Sequence, residues 1–147
     1  MQINVDIIKQ VEGYSPVAYR CPKGVWTIGY GSTYKPDGSR IRPGDVVNRQ
    51  VAENMLIHHV TKEVLNRLDD KILNILTISQ KSALSSLIYR IGITSFNKSK
   101  LKQAILRKDY KTIYMNWDWL GKDEDIHRGL CSRCSQEKAM FFKDKLK

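Results

Sequence analysis

The strongest constraint on the fold is a change of character near residue 47. All four prolines, Pro16, Pro22, Pro36 and Pro43, precede it, together with six of the nine glycines. From Asn48 onward, apolar residues recur at helical spacing. The sequence therefore predicts an α+β protein in which a short N-terminal helix and a small β-sheet lobe, about 14–46, pack on a larger helical body, 1–13 and 47–147. We expect a single domain over residues 1–147.

Composition narrows the possible partners without choosing among them. The net charge of +10 favours a polyanion, which includes nucleic acid, an anionic membrane and an acidic cell wall. The first residues do not resemble a signal peptide, because Asp6 and Lys9 interrupt any apolar run. No stretch approaches the roughly 18 apolar residues of a membrane helix. We therefore expect synthesis in the cytoplasm and no stable membrane insertion.

Local patterns predict where the elements begin and end. The first helix places Ile7, Ile8 and Val11 on one face, and Gly13 ends it. Short strands surround Val25, Thr27 and Tyr30, and a turn occupies residues 36–38. Four later helices are predicted. The first begins after an N-cap at Ser79 and ends at Gly92, and the second spans about 97–106. The third runs from Asp109 through Leu120, and the fourth covers about 130–146.

Three reactive side chains lie in the segment EGYSPVAYRCPKGVWTIGYGST at 12–33. Eight residues separate Glu12 from Cys21, and five separate Cys21 from Thr27. Glu12 would end a helix, where the helix dipole disfavours ionisation and suits a general acid. Arg20 and Lys23 favour the Cys21 thiolate. Spacing alone leaves open a surface glutamate and a semi-buried structural cysteine.

The same segment resembles the phage-type lysozymes (endolysins, glycoside hydrolase family 24). The resemblance rests on the order Glu, eight residues, Asp or Cys, five residues, Thr, followed by TIGYG. Two further blocks are similar to the family: ALSSLIYRIGITSFNKSKL at 83–101 and GLCSRCSQEKAMF at 129–141. The blocks follow the order of the family and cover most of the chain.

The resemblance implies a muramidase that lyses bacteria by cutting the β-1,4 bond between N-acetylmuramic acid and N-acetylglucosamine in peptidoglycan glycan strands. It implies a monomer without cofactor or metal that acts on the wall after release across the inner membrane. Glu12 would be the general acid. Cys21 stands where most members carry Asp, so inversion and retention both stay open. Thr27 would hold the attacking water or orient its partner.

The resemblance also assigns residues outside this catalytic set. Arg133, in the closing helix, would pair with Glu12, and Arg90 would either alter a hydrogen bond in the helical body or add a sugar contact. The implied substrate-binding residues are Thr33, Tyr89, Ser99 and Asn116.

Other classes of function remain as alternatives. Charge alone favours a basic nucleic-acid-binding module, but no helix-turn-helix or aromatic-rich binding signature is present. A wall-binding relative that has lost catalysis would keep the same motifs. A zinc site at Cys131 and Cys134, near His127, lacks a second ligand pair. We therefore expect no metal and no nucleic-acid partner.

Overall fold

The computed structural model describes residues 3–117 and 134–147. The chain divides into two compact units, one of residues 5–62 and one of residues 1–4 with 63–147. The predicted β-rich lobe lies inside the first unit, which also contains a helix on either side of it in sequence. The fold class is α+β, as predicted. Whether the units form one domain stays a prediction.

The first unit contains α1 (Asp6–Glu12), β1 (Ser15–Arg20), β2 (Trp26–Gly29) and all but the last residue of α2 (Arg49–Glu63). The strands are antiparallel, and Tyr19 pairs with Thr27. The five residues 21–25 join them. The Cys21 amide donates to the Val25 carbonyl at 2.9 Å, and the Gly24 amide donates to the Cys21 carbonyl at 2.8 Å. Gly24, at φ 80°, supplies the left-handed residue of such loops.

The sheet packs closely against α2. A Cβ on Gly29 would come within 2.9 Å of the Ala52 Cβ, and Gly29 has φ 64°. Only a residue without a side chain fits both constraints. The core below is formed by Ile28, Ile41 and Met55. The lobe is therefore held by apolar burial in addition to its short ladder of hydrogen bonds.

The second unit is helical. It contains a 3₁₀ turn (Leu65–Arg67), α3 (Asp70–Leu73), α4 (Ile78–Ile91), α5 (Ile93–Asn97), α6 (Lys100–Leu106) and α7 (Tyr110–Trp117). Residues 134–141 are also helical and are called α8. Eight residues of α4 are buried, so this helix supplies much of the core of the unit. None of the described helices is both long and apolar enough to cross a bilayer.

Several local predictions were wrong. Val11 is 49% exposed and does not share the buried face of Ile7 and Ile8. The N-cap of α4 is Thr77, two residues before Ser79, because Thr77 forms a reciprocal capping box with Gln80.

Other element predictions agree in part. Gly92 ends α4 as expected, at φ 89°. The predicted helix at about 97–106 is α6, which begins at Lys100 after its N-cap Ser99, while Asn97 is the last residue of α5. The Asp109 carboxylate caps α7 through Thr112, which confirms the start of that helix. Leu120 and residues 130–133 lie outside the described residues.

Candidate active site

Glu12 is the last residue of α1, as predicted. Gly13 ends the helix at φ 72°, and its amide donates to the Lys9 carbonyl at 3.0 Å. The Glu12 side chain is exposed. The candidate acid therefore stands at a helix end and is accessible to solvent.

A second hairpin lies against Glu12. Ile28 and Ser32 exchange two backbone hydrogen bonds of 2.9 Å around the loop Gly29–Tyr30–Gly31. An ideal Cβ on Gly31 would lie 2.9 Å from Glu12 Oε2 and 3.6 Å from its Cδ. Gly31 also has φ 84°, which glycine adopts without strain. The carboxyl group of Glu12 thus occupies space that any other residue at position 31 would fill.

Aromatic and charged contacts hold this hairpin in place. Tyr30 is buried, with its ring centroid 5.3 Å from that of Tyr14 and 5.3 Å from the Lys9 Nζ. The Lys9 ammonium also donates to Glu53 of α2 at 2.9 Å, and this hydrogen bond raises the pKa of Lys9. The contacts tie the loop beside Glu12 to both helices of the first unit.

Cys21 sits at the start of the β1–β2 loop and is half-buried. Its pKa lies below the usual range for a thiol. The largest cause is a hydrogen bond from the Val25 backbone N–H, followed by one from the Lys23 N–H. Partial burial opposes them, and the Thr27 hydroxyl lowers the pKa further. Each donor stabilises the thiolate over the thiol.

Thr27 is buried on β2, and its hydroxyl donates to the Val25 carbonyl at 3.0 Å. A hydroxyl has one proton to donate. The same proton is the one that stabilises the Cys21 thiolate, so the carbonyl and the sulfur compete for it. The structure thus brings Cys21 and Thr27 together.

A cavity of about 630 Å³ in the first unit is separate from these groups. Its lining includes Ile28, Met55 and His58, but not Glu12, Cys21 or Thr27. Ile28 and Thr27 are neighbours in β2, so their side chains point to opposite faces. The cavity is therefore not part of the candidate active site.

The other predicted site residues occupy varied positions. Thr33 is exposed directly after the second hairpin. Tyr89, in α4, lines a cavity of about 390 Å³ in the second unit. Ser99 caps α6 by accepting from the Lys102 amide at 3.3 Å, and the Asn116 amide donates to the Thr112 carbonyl at 2.8 Å. Arg133 lies outside the described residues.

Sequence reasoning missed a buried polar cluster in the second unit. The fully buried Glu137 of α8 accepts hydrogen bonds from the Ser86 hydroxyl at 2.5 Å, the Arg90 guanidinium at 3.1 Å and the Trp117 indole at 3.2 Å. Arg90 therefore forms a hydrogen bond inside the helical body. Helical spacing could have indicated that Glu137 is buried, because it lies three residues after Cys134 and four before Phe141, which are both buried.

The described residues contain no cluster of three or more His, Cys, Asp or Glu side chains able to hold a metal ion. Cys131 and His127 lie outside them. Cys134 is buried, and its sulfur accepts from the Arg90 guanidinium at 3.7 Å.

Residues 9–137 match the Phage lysozyme family. The chain belongs to this family. It is 34% identical over 141 residues to an endolysin of Acyrthosiphon pisum secondary endosymbiont phage 1, covering 92% of each chain. It is 31% identical to the endolysin of Salmonella phage P22, covering 91% of each.

Solved structures agree with this assignment to the phage lysozymes. A mutant P22 lysozyme is similar with a TM-score of 0.76 and 29% identity, covering 97% of this chain and 99% of that one. The muramidase domain of SpmX from Asticaccaulis excentricus gives a TM-score of 0.74 at 25% identity, covering 93% and 92%. The chain is thus a peptidoglycan-degrading lysozyme. Its Glu12, Cys21 and Thr27 all fall within the matched residues.

Proposed function

We propose that this lysozyme is a muramidase that hydrolyses the β-1,4 bond between N-acetylmuramic acid and N-acetylglucosamine, with Glu12 as the general acid. The observation that carries the proposal is the seating of the Glu12 carboxyl group over Gly31. The carboxyl group occupies space that any side chain at position 31 would fill, so the hairpin is shaped around the candidate acid. The exposed position also gives a substrate oxygen access to the acid.

In the proposed reaction, the carboxylic acid of Glu12 gives its proton to the glycosidic oxygen as the bond to the anomeric carbon breaks. Water attacks that carbon, and the Cys21 thiolate takes the proton from the water. The products are a new reducing end and a free sugar hydroxyl. Proton exchange with solvent then restores the carboxylic acid and the thiolate. Thr27 positions the thiolate through its hydroxyl.

Direct attack by the Cys21 sulfur on the anomeric carbon is the competing route. It forms a thioether-linked glycosyl enzyme that water hydrolyses in a second step, with retention. The base route gives inversion. The anomeric configuration of the first product, read by NMR before mutarotation, separates the two. A glycan-sized mass increase on the Cys21 peptide after quenching would support direct attack.

We also propose that Thr33, Tyr89, Ser99 and Asn116 contact the saccharide and that Arg133 pairs with Glu12. The exposure of Thr33 and the place of Tyr89 in a cavity wall support the first part. Substitution of a saccharide contact should raise KM more than it lowers kcat. Substitution of Arg133 should mainly lower kcat, since its proposed partner is the acid.

The decisive experiment is mass analysis of fragments from purified sacculi digested with the protein. A muramidase leaves reducing N-acetylmuramic acid ends, which gain two hydrogens on borohydride reduction. Anhydromuramic ends would indicate a transglycosylase, and free stem peptides an amidase. Either result would overturn the proposal. A gel shift on duplex DNA, with no loss of wall turbidity, would favour the nucleic-acid-binding alternative.

For its cellular setting, we propose that the enzyme is made in the bacterial host cytoplasm and reaches the wall after release across the inner membrane. We further propose that it acts as a monomer without metal or nucleic acid. Sedimentation velocity at working concentration tests the oligomeric state. If the enzyme needs neither metal nor nucleic acid, lysis should be unchanged after EDTA dialysis and after nuclease treatment.

A further inference from the structure

The loop Gly29–Tyr30–Gly31 reaches from one helix of the first unit to the other. At its first residue, a Cβ on Gly29 would come within 2.9 Å of the Ala52 Cβ of α2. At its last residue, a Cβ on Gly31 would lie 2.9 Å from Glu12 Oε2, at the end of α1. The loop therefore touches α2 at one end and the candidate acid at the other.

This loop has little stiffness of its own. Two of its three residues are glycines, with positive φ values of 64° and 84°. Glycine has more backbone freedom than any other residue, so side-chain contacts have to hold such a loop in one conformation. The Tyr30 ring makes such contacts, since it is buried and its centroid lies 5.3 Å from that of Tyr14. The place of Gly31 against the acid thus depends on what holds Tyr30.

Lys9 contacts both the loop and α2. It lies on α1, three residues before Glu12 and so one helical turn away. Its Nζ lies 5.3 Å from the Tyr30 ring centroid and donates to Glu53 Oε1 at 2.9 Å. The Lys9 and Glu53 side chains are 27% and 31% exposed, so water screens this ion pair only in part. Asp6 Oδ1 is farther from the ammonium, at 3.7 Å, and belongs to α1 itself. Glu53 therefore ties Lys9 to the second helix.

These contacts form a closed ring through α1, the loop and α2. Seven residues make the ring, in this order: Glu12, Gly31, Tyr30, Gly29, Ala52, Glu53 and Lys9. The ion pair joins the same two helices that the loop joins. Because the loop has a fixed length, the spacing of α1 and α2 at this level decides whether Gly31 meets the carboxyl group of the acid.

We propose that Lys9 is a positioning residue for the general acid, and that it acts by clamping α1 to α2 through Glu53. The inference rests on the proposed role of Glu12 as that acid. The clamp keeps Gly31 against the Glu12 carboxyl group, which then meets the glycosidic oxygen in one orientation. Misplacing a catalytic group by about 1 Å can cost about 100-fold in rate. The clamp therefore serves the chemical step.

The test compares kcat and KM of full-length variants on a soluble glycan prepared from purified walls. Lys9→Met keeps the apolar stem of the side chain and removes the ammonium. We expect its kcat to fall by about fivefold or more, with KM within about twofold of the wild type. Lys9→Arg should keep about half of the wild-type kcat or more, because a guanidinium also bonds a carboxylate and lies over an aromatic ring.

A double variant separates positioning from a general loss of structure. If Lys9 acts only through the acid, Lys9→Met should not lower the residual rate of Glu12→Gln any further. The same fold loss in both backgrounds would show that Lys9 supports the structure without positioning the acid. That result would overturn the inference.

Lys35→Met is the matched control. Lys35 pairs with Asp45 at 3.5 Å in the same unit, and their side chains are 40% and 27% exposed. Both residues line the cavity that is separate from the candidate active site. We expect kcat of this variant to stay within about twofold of the wild type. A loss equal to that of Lys9→Met would show that breaking any ion pair of the unit lowers kcat, and the specific clamp would be wrong.

Glu53→Gln tests whether the pair acts through its geometry or its charge. A clamp predicts a lower maximal kcat in both Glu53→Gln and Lys9→Met. Charge alone would leave maximal kcat unchanged and would move the basic limb of the rate profile to lower pH in Glu53→Gln and to higher pH in Lys9→Met, because a nearby positive charge favours the carboxylate. Opposite shifts of this kind at unchanged maximal kcat would overturn the clamp.

Failure of the clamp is distinguishable from failure of the proposed function. Wild-type kcat in Lys9→Met, with lysis lost in Glu12→Gln, would overturn the clamp and leave the assignment of the acid in place. Full lysis by Glu12→Gln would overturn the assignment of the acid, and the clamp with it.

Discussion

Glu12 Oε2 lies 2.9 Å from the point where a Cβ on Gly31 would stand. The contact joins the end of α1 to the turn of the second hairpin. In the sequence, β1, the loop after it and β2 separate these two elements. It gives a physical reason for the second glycine of the TIGYG run. That glycine lets the backbone turn at φ 84° and leaves room for the acid.

Gly31→Ala tests this relationship. The new methyl group must displace the Glu12 carboxyl group, and the left-handed backbone adds strain of about 1–2 kcal/mol. We expect lysis to fall by about tenfold or more, since small misplacements of a catalytic group are costly. The measurements are turbidity loss of purified walls and the free energy of unfolding in urea.

Gly38→Ala is the matched control. Gly38 has φ 90°, so alanine is strained there to a similar degree, but no atom lies within 4 Å of its ideal Cβ. We expect a similar loss of stability with activity nearly intact. Equal losses of activity in the two variants would show that strain alone is responsible, and that the contact with Glu12 does not position the acid.

Glu12→Gln removes the proposed proton donor while keeping the size of the side chain. General acid catalysis typically contributes about 10²- to 10⁴-fold, so we expect a loss in that range. Wall affinity, measured by pelleting with sacculi, should change little. Substantial lysis by this variant would show that another group supplies the proton. Loss of pelleting would show that Glu12 serves binding.

Cys21→Ala and Cys21→Asp distinguish a functional thiolate from a packing residue. We expect Cys21→Ala to be crippled and Cys21→Asp to retain much of the activity, because a carboxylate is also a base. Iodoacetamide should inactivate the wild type and leave Cys21→Asp active, which controls for modification of other cysteines. Full activity of the wild type after complete alkylation of Cys21 would remove the residue from the mechanism.

Thr27→Val should move the pH dependence of the thiol. The Thr27 hydroxyl is one of the groups that lower the pKa of Cys21, so its loss should raise that pKa. A base works when deprotonated, so the acidic limb of the rate profile should shift to higher pH. The rate of Cys21 alkylation against pH measures the pKa directly, with Cys21→Ala as the background.

The appropriate control is Thr94→Val, which makes the same change at an exposed threonine of the second unit. Its alkylation profile should match that of the wild type. An unshifted profile in Thr27→Val would mean that the hydroxyl bonds only the Val25 carbonyl and leaves the sulfur unaffected.

The fold was largely predictable because its strongest signals are local. Gly13 and Gly92 end helices where the sequence predicted, since each supplies a positive φ. The turn at 36–38 also forms, with the Gly38 amide donating to the Lys35 carbonyl at 2.9 Å. The pairing of Cys21 with Thr27 followed from one hairpin and the resemblance to the family.

What the sequence did not predict depends on contacts between distant residues. The N-cap at Thr77 was missed because Ser79 is an equally good capping residue. The choice between them depends on the capping box that Thr77 forms with Gln80 and on Asp144, which accepts from the Thr77 hydroxyl. The role of Gly31 was missed because no sequence pattern reveals which side chain approaches a glycine.

The last prediction concerns the contribution of the cluster around Glu137 to stability. Removing one member of a buried ion pair typically costs about 3–5 kcal/mol, because the other charge is left buried without compensation. Glu137→Ala should therefore lower the free energy of unfolding by about that amount. Arg90→Ala should cost a similar amount, since it leaves the fully buried Glu137 carboxylate with only the neutral Ser86 hydroxyl and Trp117 indole as donors.

Glu63 and Arg67 form the control pair, because they are also a glutamate and an arginine joined by an ion pair, at 3.4 Å, but both side chains are exposed. Alanine at either position should cost less than about 1 kcal/mol. A double-mutant cycle on Glu137 and Arg90 then gives their coupling energy. A coupling as small as that of the exposed pair would show that Ser86 and Trp117, and not the ion pair, hold Glu137 in the core.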